Sequence, residues 1–216
     1  MGILRAKSIV QNMLKRLVDI LLSSVALIIL SPLFAVVAIL TKLDSPGPVF
    51  YRGVRIGKYG RPFRIYKFRT MVANAEKIGG PSTAADDPRL TKIGRKFIKR
   101  FNLDELPQFI NVLKGEMSIV GPRPEVPEVI NLLPADERNI LLSVRPGITD
   151  WATLWIRDEA ERLKGSPEPH QKYLKEIWPT KRKLALKYVR NHSLWTDFKI
   201  MFKTLKVHLI DRLLGY

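Results

Sequence analysis

The chain contains no cysteine. Disulfides, thiolate nucleophiles and cysteine-ligated zinc are therefore excluded. Histidine is nearly as scarce: His170, His192 and His208 are the three present, and they lie far apart in polar or amphipathic C-terminal segments. None has the spacing of a metal site. Acidic residues are the third shortage, with 20 Asp and Glu against 37 Lys and Arg and a formal charge of +17. A positive field over much of the surface requires anionic partners. Nucleic acid, an anionic bilayer and a phosphate-bearing substrate such as a nucleotide-sugar or polyprenyl phosphate all qualify, and charge does not choose among them. Repeats and low-complexity tracts are missing too, and the 216 residues suit one catalytic unit with room for a membrane element and terminal helices.

What the sequence does have is a long apolar run. Residues 20–40 are almost unbroken hydrocarbon, interrupted only by Ser23, Ser24, Ser31 and Pro32, and have the length of a membrane helix. Positive charge crowds both flanks, with Arg5, Lys7, Lys15 and Arg16 before the run and Lys42, Arg52, Arg55, Lys58 and Arg61 after it, so both ends favour the cytoplasmic side. Ser31-Pro32 falls mid-run, where proline removes a backbone hydrogen bond and bends the helix. Each arm then measures roughly 15 Å, half of a hydrocarbon core of about 30 Å. The favoured reading is a re-entrant helix broken at Ser31-Pro32, with the Ser31 hydroxyl returning a hydrogen bond to a carbonyl that the proline frees. A single span and a cleaved signal peptide are the competing readings. Myristoylation is excluded because Ala6 stands where Ser or Thr is needed. The division expected is 1–43 for the basic segment and membrane helix and 44–216 for a catalytic domain.

Between Pro48 and Met71, aromatic and β-branched residues surround a Gly57-Lys58-Tyr59-Gly60 turn, which predicts a β-hairpin. On its second strand Lys67 and Arg69 share one face, available either to solvent or to a diphosphate. Residues 74–88 read as a polar loop, able to move and cover a site, ending in Asp86-Asp87-Pro88-Arg89. Lys92 to Phe101 has helical spacing, with Ile93, Phe97 and Phe101 on one stripe. The next helix is predicted to begin at Asn102 to Glu105 and to stop at Gly115. Two amphipathic helices rich in Lys and Trp follow between Tyr173 and Leu214, carrying Trp178, Trp195, Phe198 and Phe202. Such faces suit a membrane interface or the catalytic core.

Two short segments carry chemistry. Leu103-Asp104-Glu105-Leu106-Pro107-Gln108 sets adjacent carboxylates at a helix entrance, where they can cap the helix or serve as nucleophile and metal ligand. Gly121-Pro122-Arg123-Pro124 holds one arginine between prolines, a stiff support for a guanidinium that grips phosphate. Arg145-Pro146-Gly147-Ile148-Thr149 is a second turn of this kind that could buttress the first. Together they point to phosphoryl chemistry.

These segments, with Lys15 to Ile20 leading into Ser31-Pro32, Ile65 to Met71 and Asn111 to Ser118, resemble in order the bacterial sugar transferase family, the monotopic phosphoglycosyl transferases. The similarity runs from about Met13 to Lys206. It implies an α+β, mostly helical fold: a small catalytic domain with a β-hairpin, anchored by a Pro-broken re-entrant helix and interfacial amphipathic helices, without an extra multi-span region before it. It further implies that Asp104 attacks a UDP-sugar, releasing UMP and leaving a sugar phosphate on the enzyme that polyprenyl (undecaprenyl) phosphate then takes. Glu105 would hold Mg2+, Arg123 would bind phosphate, Lys67 and Arg69 would add positive charge near it, and Arg89 and Arg145 are weaker candidates for the same work. The implied location is the cytoplasmic face of a bacterial inner membrane, with a lipid bilayer as partner and a homodimer as the candidate assembly. A membrane-tethered nucleic-acid-binding or scaffold protein is the rival from another class, but no helix-turn-helix or stacking-aromatic pattern is present, and no nucleic acid is expected. A hydrolase using the same Asp and Mg2+ is a second rival. Two departures stand out. Asn102, where many members have Ser or Thr, is expected to keep the capping role. Asp150-Trp151-Ala152-Thr153 differs from the usual loop and leaves the sugar open.

Overall fold

The computed structural model describes residues 2–156 and 158–207, with side chains from residue 10 onward. His208 and the end of the second amphipathic segment lie outside the described residues. The chain is mostly helical, with three small two-stranded sheets.

Helix α1 (Gly2–Asp44) takes in the basic N-terminal segment as well as the apolar run, 43 residues in one element. That is about 65 Å by the α-helical rise. Among the described residues it is the one helix long and apolar enough to cross a membrane, with a mean hydropathy of 2.6 in its most apolar stretch. The expected break at Ser31-Pro32 is not an interruption of secondary structure: Pro32 lies inside a continuous helix. Ser31 Oγ donates to the Ile28 carbonyl at 2.8 Å. Ile28 is four residues before the proline, so this is the carbonyl that Pro32, lacking an N–H, leaves free.

The hairpin forms where expected. Strand β1 (Phe50–Tyr51) pairs antiparallel with β4 (Lys67–Phe68), and inside them β2 (Val54–Ile56) pairs with β3 (Pro62–Arg64). The turn places Tyr59 and Gly60 in the left-handed region, at φ 60° and 76°.

The 74–88 stretch is not wholly irregular, since it contains a one-turn helix α2 (Ala75–Ile78). The helix over 92–101 is π-helical from Gly94 to Lys99. The wider turn moves the apolar stripe, so Ile98 is buried while Phe101 is exposed. Ile98 joins Val37 of α1 and Phe68 of β4 in a cluster that seats the C-terminal arm of α1 on the domain.

A 3₁₀ turn (Leu103–Glu105) then leads through Leu106 and Pro107, both in the right-handed helical region, into α3 (Gln108–Leu113). Gly115 ends the helix at φ 79°, as its position predicted. Asn102 corrects another expectation: its side chain makes no capping hydrogen bond, and the residue instead adopts a left-handed conformation at φ 53°, which asparagine tolerates better than most residues.

Beyond α3 the residues just before Gly121-Pro122-Arg123-Pro124 pair in parallel with the end of the second Arg-Pro segment, a pairing that periodicity over three residues could not reveal. Strand β5 (Ser118–Val120) lies beside β6 (Gly147–Thr149), with α4 (Pro127–Asn131) and α5 (Ala135–Leu141) in the crossover. The backbones approach so closely that a Cβ on Gly147 would lie 2.1 Å from the Gly121 nitrogen. Three short helices follow, α6 (Trp151–Trp155), α7 (Glu159–Leu163) and α8 (Pro169–Lys172). Next come α9 (Trp178–Asn191) and α10 (Leu194–Leu205), the latter capped by Ser193, whose Oγ accepts from the Thr196 N–H. The aromatic residues of the two long helices divide: Trp178 is in the core, whereas Trp195 and Phe202 of α10 are 79% and 71% exposed.

Candidate functional site

The hairpin, the 3₁₀ turn and the end of β5 bring three charged side chains together. Lys67 Nζ donates to Glu105 Oε1 at 3.0 Å and Arg123 Nη1 to Glu105 Oε2 at 2.8 Å, while Arg123 Nη2 completes the fork on Oε1. The Ile148 carbonyl on β6 accepts a further bond from Arg123 Nη1 at 3.2 Å, so the second Arg-Pro segment braces the first. Lys67, Glu105 and Arg123 remain 19%, 24% and 23% exposed, open enough to meet a ligand from solvent.

Electrostatics follow from this geometry. Burial pushes the Glu105 carboxyl up, but Arg123 and then Lys67 outweigh it and hold the group well below the usual carboxylate range. Burial lowers Lys67, and Glu105 opposes the shift. For Arg123 the desolvation cost is outweighed by Glu105, and its affinity for the proton rises.

Asp104 is buried, and among the described residues its closest cation is Lys99, whose Nζ lies 3.7 Å from Oδ2. That contact is too long for a good hydrogen bond. Asp104 is thus a carboxylate with few partners beside a carboxylate saturated with them.

The other sequence candidates lie elsewhere. Arg69, expected to work beside Lys67, turns to the C-terminal end of α1, where Nη2 donates to the Ser45 carbonyl at 2.7 Å and to that of Thr41 at 3.3 Å, and Nη1 donates to Pro46 O. Free carbonyls at a helix end explain the attraction. Arg89 forms a buried fork with Asp87, with Nη2 to Oδ2 at 2.7 Å, and reaches the carbonyls of Ala75, Gly80 and Ser82. The loop expected to move is therefore gathered around one guanidinium. Arg145 Nε donates to the Gly115 carbonyl at 2.8 Å, just beyond α3.

Several residues were read only as flanking charge or not singled out. Arg16 donates to the carbonyls of Val112 and Leu113 at 2.7 and 3.0 Å, so α1 holds the end of the helix that carries the acid pair at its other end. Asp19 accepts from Ile119 N–H at 3.0 Å, and Lys15 bridges Asp197 at 2.7 Å and the Val120 carbonyl at 2.9 Å. The available signal was an acid and two bases at helical spacing on the edge of an apolar run, where charge is expensive unless paired.

Among the described residues no group of three or more metal-ligating side chains occurs. Asp104 and Glu105 nevertheless offer the hard oxygens that Mg2+ takes when a diphosphate supplies most of its remaining ligands. The fit is conditional on that diphosphate, because both Glu105 oxygens are held by cations that a phosphate would draw away.

The family model for bacterial sugar transferases matches residues 10–211. An Aeromonas hydrophila UDP-N-acetylgalactosamine-undecaprenyl-phosphate N-acetylgalactosaminephosphotransferase is 40% identical over 91% of this chain and 44% of its own length. The UDP-glucose:undecaprenyl-phosphate glucose-1-phosphate transferase of Escherichia coli is 40% identical over 90% of this chain and 40% of its own. The chain thus spans less than half the length of these two relatives. Against the exopolysaccharide production protein ExoY of Sinorhizobium fredii it is 36% identical over 92% of this chain and 86% of that protein. By these matches, the chain belongs to the bacterial sugar transferase family.

Proposed function

We propose that this protein moves a sugar 1-phosphate from a UDP-sugar to undecaprenyl phosphate, releasing UMP, as the first membrane step of glycan assembly. The observation that carries it is the Lys67-Glu105-Arg123 cluster beside the sparsely partnered Asp104. In the first half-reaction an Asp104 oxygen attacks the sugar-bearing phosphorus of the donor, and the bond to the bridging oxygen of UMP breaks. An acyl phosphate forms on Asp104. In the second, a phosphate oxygen of the lipid attacks the same phosphorus, Asp104 departs as a carboxylate, and a sugar diphospholipid results. Arg123 and Lys67 exchange Glu105 for the donor's diphosphate, a transfer from one anion to another that keeps both cations paired. Glu105 would hold Mg2+ together with that diphosphate, and the ion would supply positive charge against the leaving UMP.

Helix α1 is read as re-entrant, dipping into the cytoplasmic leaflet of a bacterial inner membrane. Support comes from its contacts with the domain. Lys15, Arg16 and Asp19 bond to it at one end, and at the other Asp44 accepts from Ile93 N–H at 2.9 Å. Lys15 and Asp44 are about 43 Å apart along the helix by its rise, more than a hydrocarbon core of about 30 Å. A helix crossing the bilayer would carry one of these ends to the far side, away from the domain that both touch. Val25, Ile28 and Ile29, between the two ends, are exposed and suit lipid. The exposed Trp195, Phe198 and Phe202 of α10 are assigned to the same interface.

The test is intact-protein mass spectrometry of nanodisc-held enzyme with a panel of UDP-sugars and Mg2+, beside Asp104→Asn. A gain of one sugar phosphate with UMP release, absent in the variant, is expected and identifies the donor. UMP release that persists in Asp104→Asn overturns the nucleophile assignment. Steady release of UMP and free sugar phosphate without lipid acceptor would make the protein a hydrolase.

A further inference from the structure

Gln108 is the first residue of α3 and has no exposed surface, yet neither Nε2 nor Oε1 has a hydrogen-bond partner. An amide buried in that condition costs stability, and proteins seldom keep one without a use. Its position suggests the use. Leu106 and Pro107 keep right-handed φ/ψ between the 3₁₀ turn and α3, so Asp104 lies about one helical turn before Gln108. Both side chains are buried there, and a glutamine is long enough to reach a carboxylate one turn away. Asp104 is the carboxylate that needs a partner, since its only close cation, among the described contacts, is Lys99 at 3.7 Å. A second observation points to the same region. Ser23 and Ser118 are also buried with unpartnered hydroxyls, Ser23 one turn beyond Asp19 on the stripe of α1 that faces the domain and Ser118 at the start of β5. Both elements pack on α3. Three buried polar side chains on α3 and the elements packed against it thus have bonding capacity unspent.

We infer that Gln108 is a positioning residue for the nucleophile: in the donor-bound enzyme its Nε2 donates to the non-attacking oxygen of Asp104 and aims the other oxygen at phosphorus. This rests on the reaction proposed above. With no exposed surface Gln108 cannot touch substrate itself, so it acts through Asp104. As the acyl phosphate forms, the oxygen that accepts from Gln108 becomes the carbonyl oxygen and keeps the same bond, so the amide does not have to move during the step. In the structure described here the amide is held ready and unengaged, while Glu105 occupies Arg123 and Lys67.

The two roles an interior glutamine can have predict opposite signs. If Gln108 serves packing, replacing it harms stability and activity together. If it serves Asp104, a side chain of similar length without the amide removes a buried unpaired group, so stability holds or rises while the reaction slows. The experiment compares wild type, Gln108→Met and Gln108→Asn in nanodiscs, reading melting temperature and the single-turnover rate of adduct formation against UDP-sugar concentration. For Gln108→Met the expected result is a melting temperature equal to or above wild type, at least a tenfold lower rate at saturating donor, and a half-saturating concentration within twofold of wild type. Gln108→Asn, which restores the donor group at shorter reach, recovers part of the rate. A Met variant within twofold of the wild-type rate overturns the inference, as does one whose rate and melting temperature fall together with no recovery by Asn. Should Gln108→Met give no folded protein, Gln108→Asn is judged against wild type alone: a lowered saturating rate at unchanged half-saturation supports the role, and an unchanged rate refutes it. Wild-type enzyme that forms no Asp104-dependent adduct removes the reaction itself, a failure seen before any Gln108 variant is made.

Discussion

Exchanging arginine for lysine at two positions separates the site from its scaffold. Arg123 grips Glu105 with two nitrogens and the Ile148 carbonyl with one of them, in a cluster about one quarter exposed. Arg69 is buried, with three main-chain carbonyls as its partners. Lysine preserves charge at both places but has no planar fork. At position 123, Glu105 keeps Lys67, and solvent screens what is lost, so the stability cost should stay below about 1 kcal/mol. The reaction should suffer far more, because a fork aligned on phosphate is replaced by a point charge; loss of one preorganised donor typically slows an enzyme by roughly 100-fold or more. At position 69 the order reverses. One ammonium nitrogen cannot occupy both the Nη1 and Nη2 positions, so at least one carbonyl loses its donor at a cost of about 1–3 kcal/mol. Folded Arg69→Lys protein should still release UMP at a rate close to wild type. The assay is UMP release from saturating UDP-sugar alongside thermal melting in nanodiscs. An Arg123→Lys enzyme with wild-type turnover would refute the phosphate role, and an Arg69→Lys enzyme that melts normally but turns over slowly would return Arg69 to the site.

Gly147→Ala should cost about 3 kcal/mol or more, because its Cβ would lie 2.1 Å from backbone that cannot give way; denaturant unfolding measures this. Asp197→Ala removes the partner of both Lys15 and the Tyr188 hydroxyl, which donates to Oδ1 at 2.6 Å, and should cost about 3–5 kcal/mol in the same assay. Burial raises Asp87, but the Arg89 fork outweighs it and holds the carboxyl below its ordinary value. A carboxyl depressed on folding stabilises above its unfolded value of about 3.9, and that stability is lost as pH falls through the lower folded value. Asp87→Asn should therefore melt earlier at neutral pH and lose less on acidification, in melting curves between pH 7 and 3.

Local signals were read well from the residues alone. Gly57-Lys58-Tyr59-Gly60 announced the hairpin, Gly115 the end of α3, and Ser31 the bond that compensates for Pro32. The motif residues Lys67, Glu105 and Arg123 do converge. What stayed hidden depended on long-range pairing. Strands β5 and β6 are three residues each and pair across a crossover, too short to show a period. A π-turn shifted the stripe of 92–101, since helical spacing assumes α geometry. The arginines were hardest to sort: a guanidinium serves a helix end or a loop carbonyl as readily as a phosphate, and Arg69, Arg89 and Arg145 found carbonyls first.

The bonds from Arg16 to the far end of α3 bear on any effort to make this protein soluble. Deleting the hydrophobic helix is the usual route to a water-soluble fragment of an anchored enzyme, and it works when the anchor is a leash. Here a cut after Asp44 would strip donors from the carbonyls of Val112, Leu113 and Val120 and acceptors from the N–H groups of Ile119 and Ile93. It would also open the seat of Phe68 and Ile98. Helix α1 is bonded into the fold, and solubility must come from repainting its exposed apolar residues, such as Val25, Ile28 and Ile29, not from removing it.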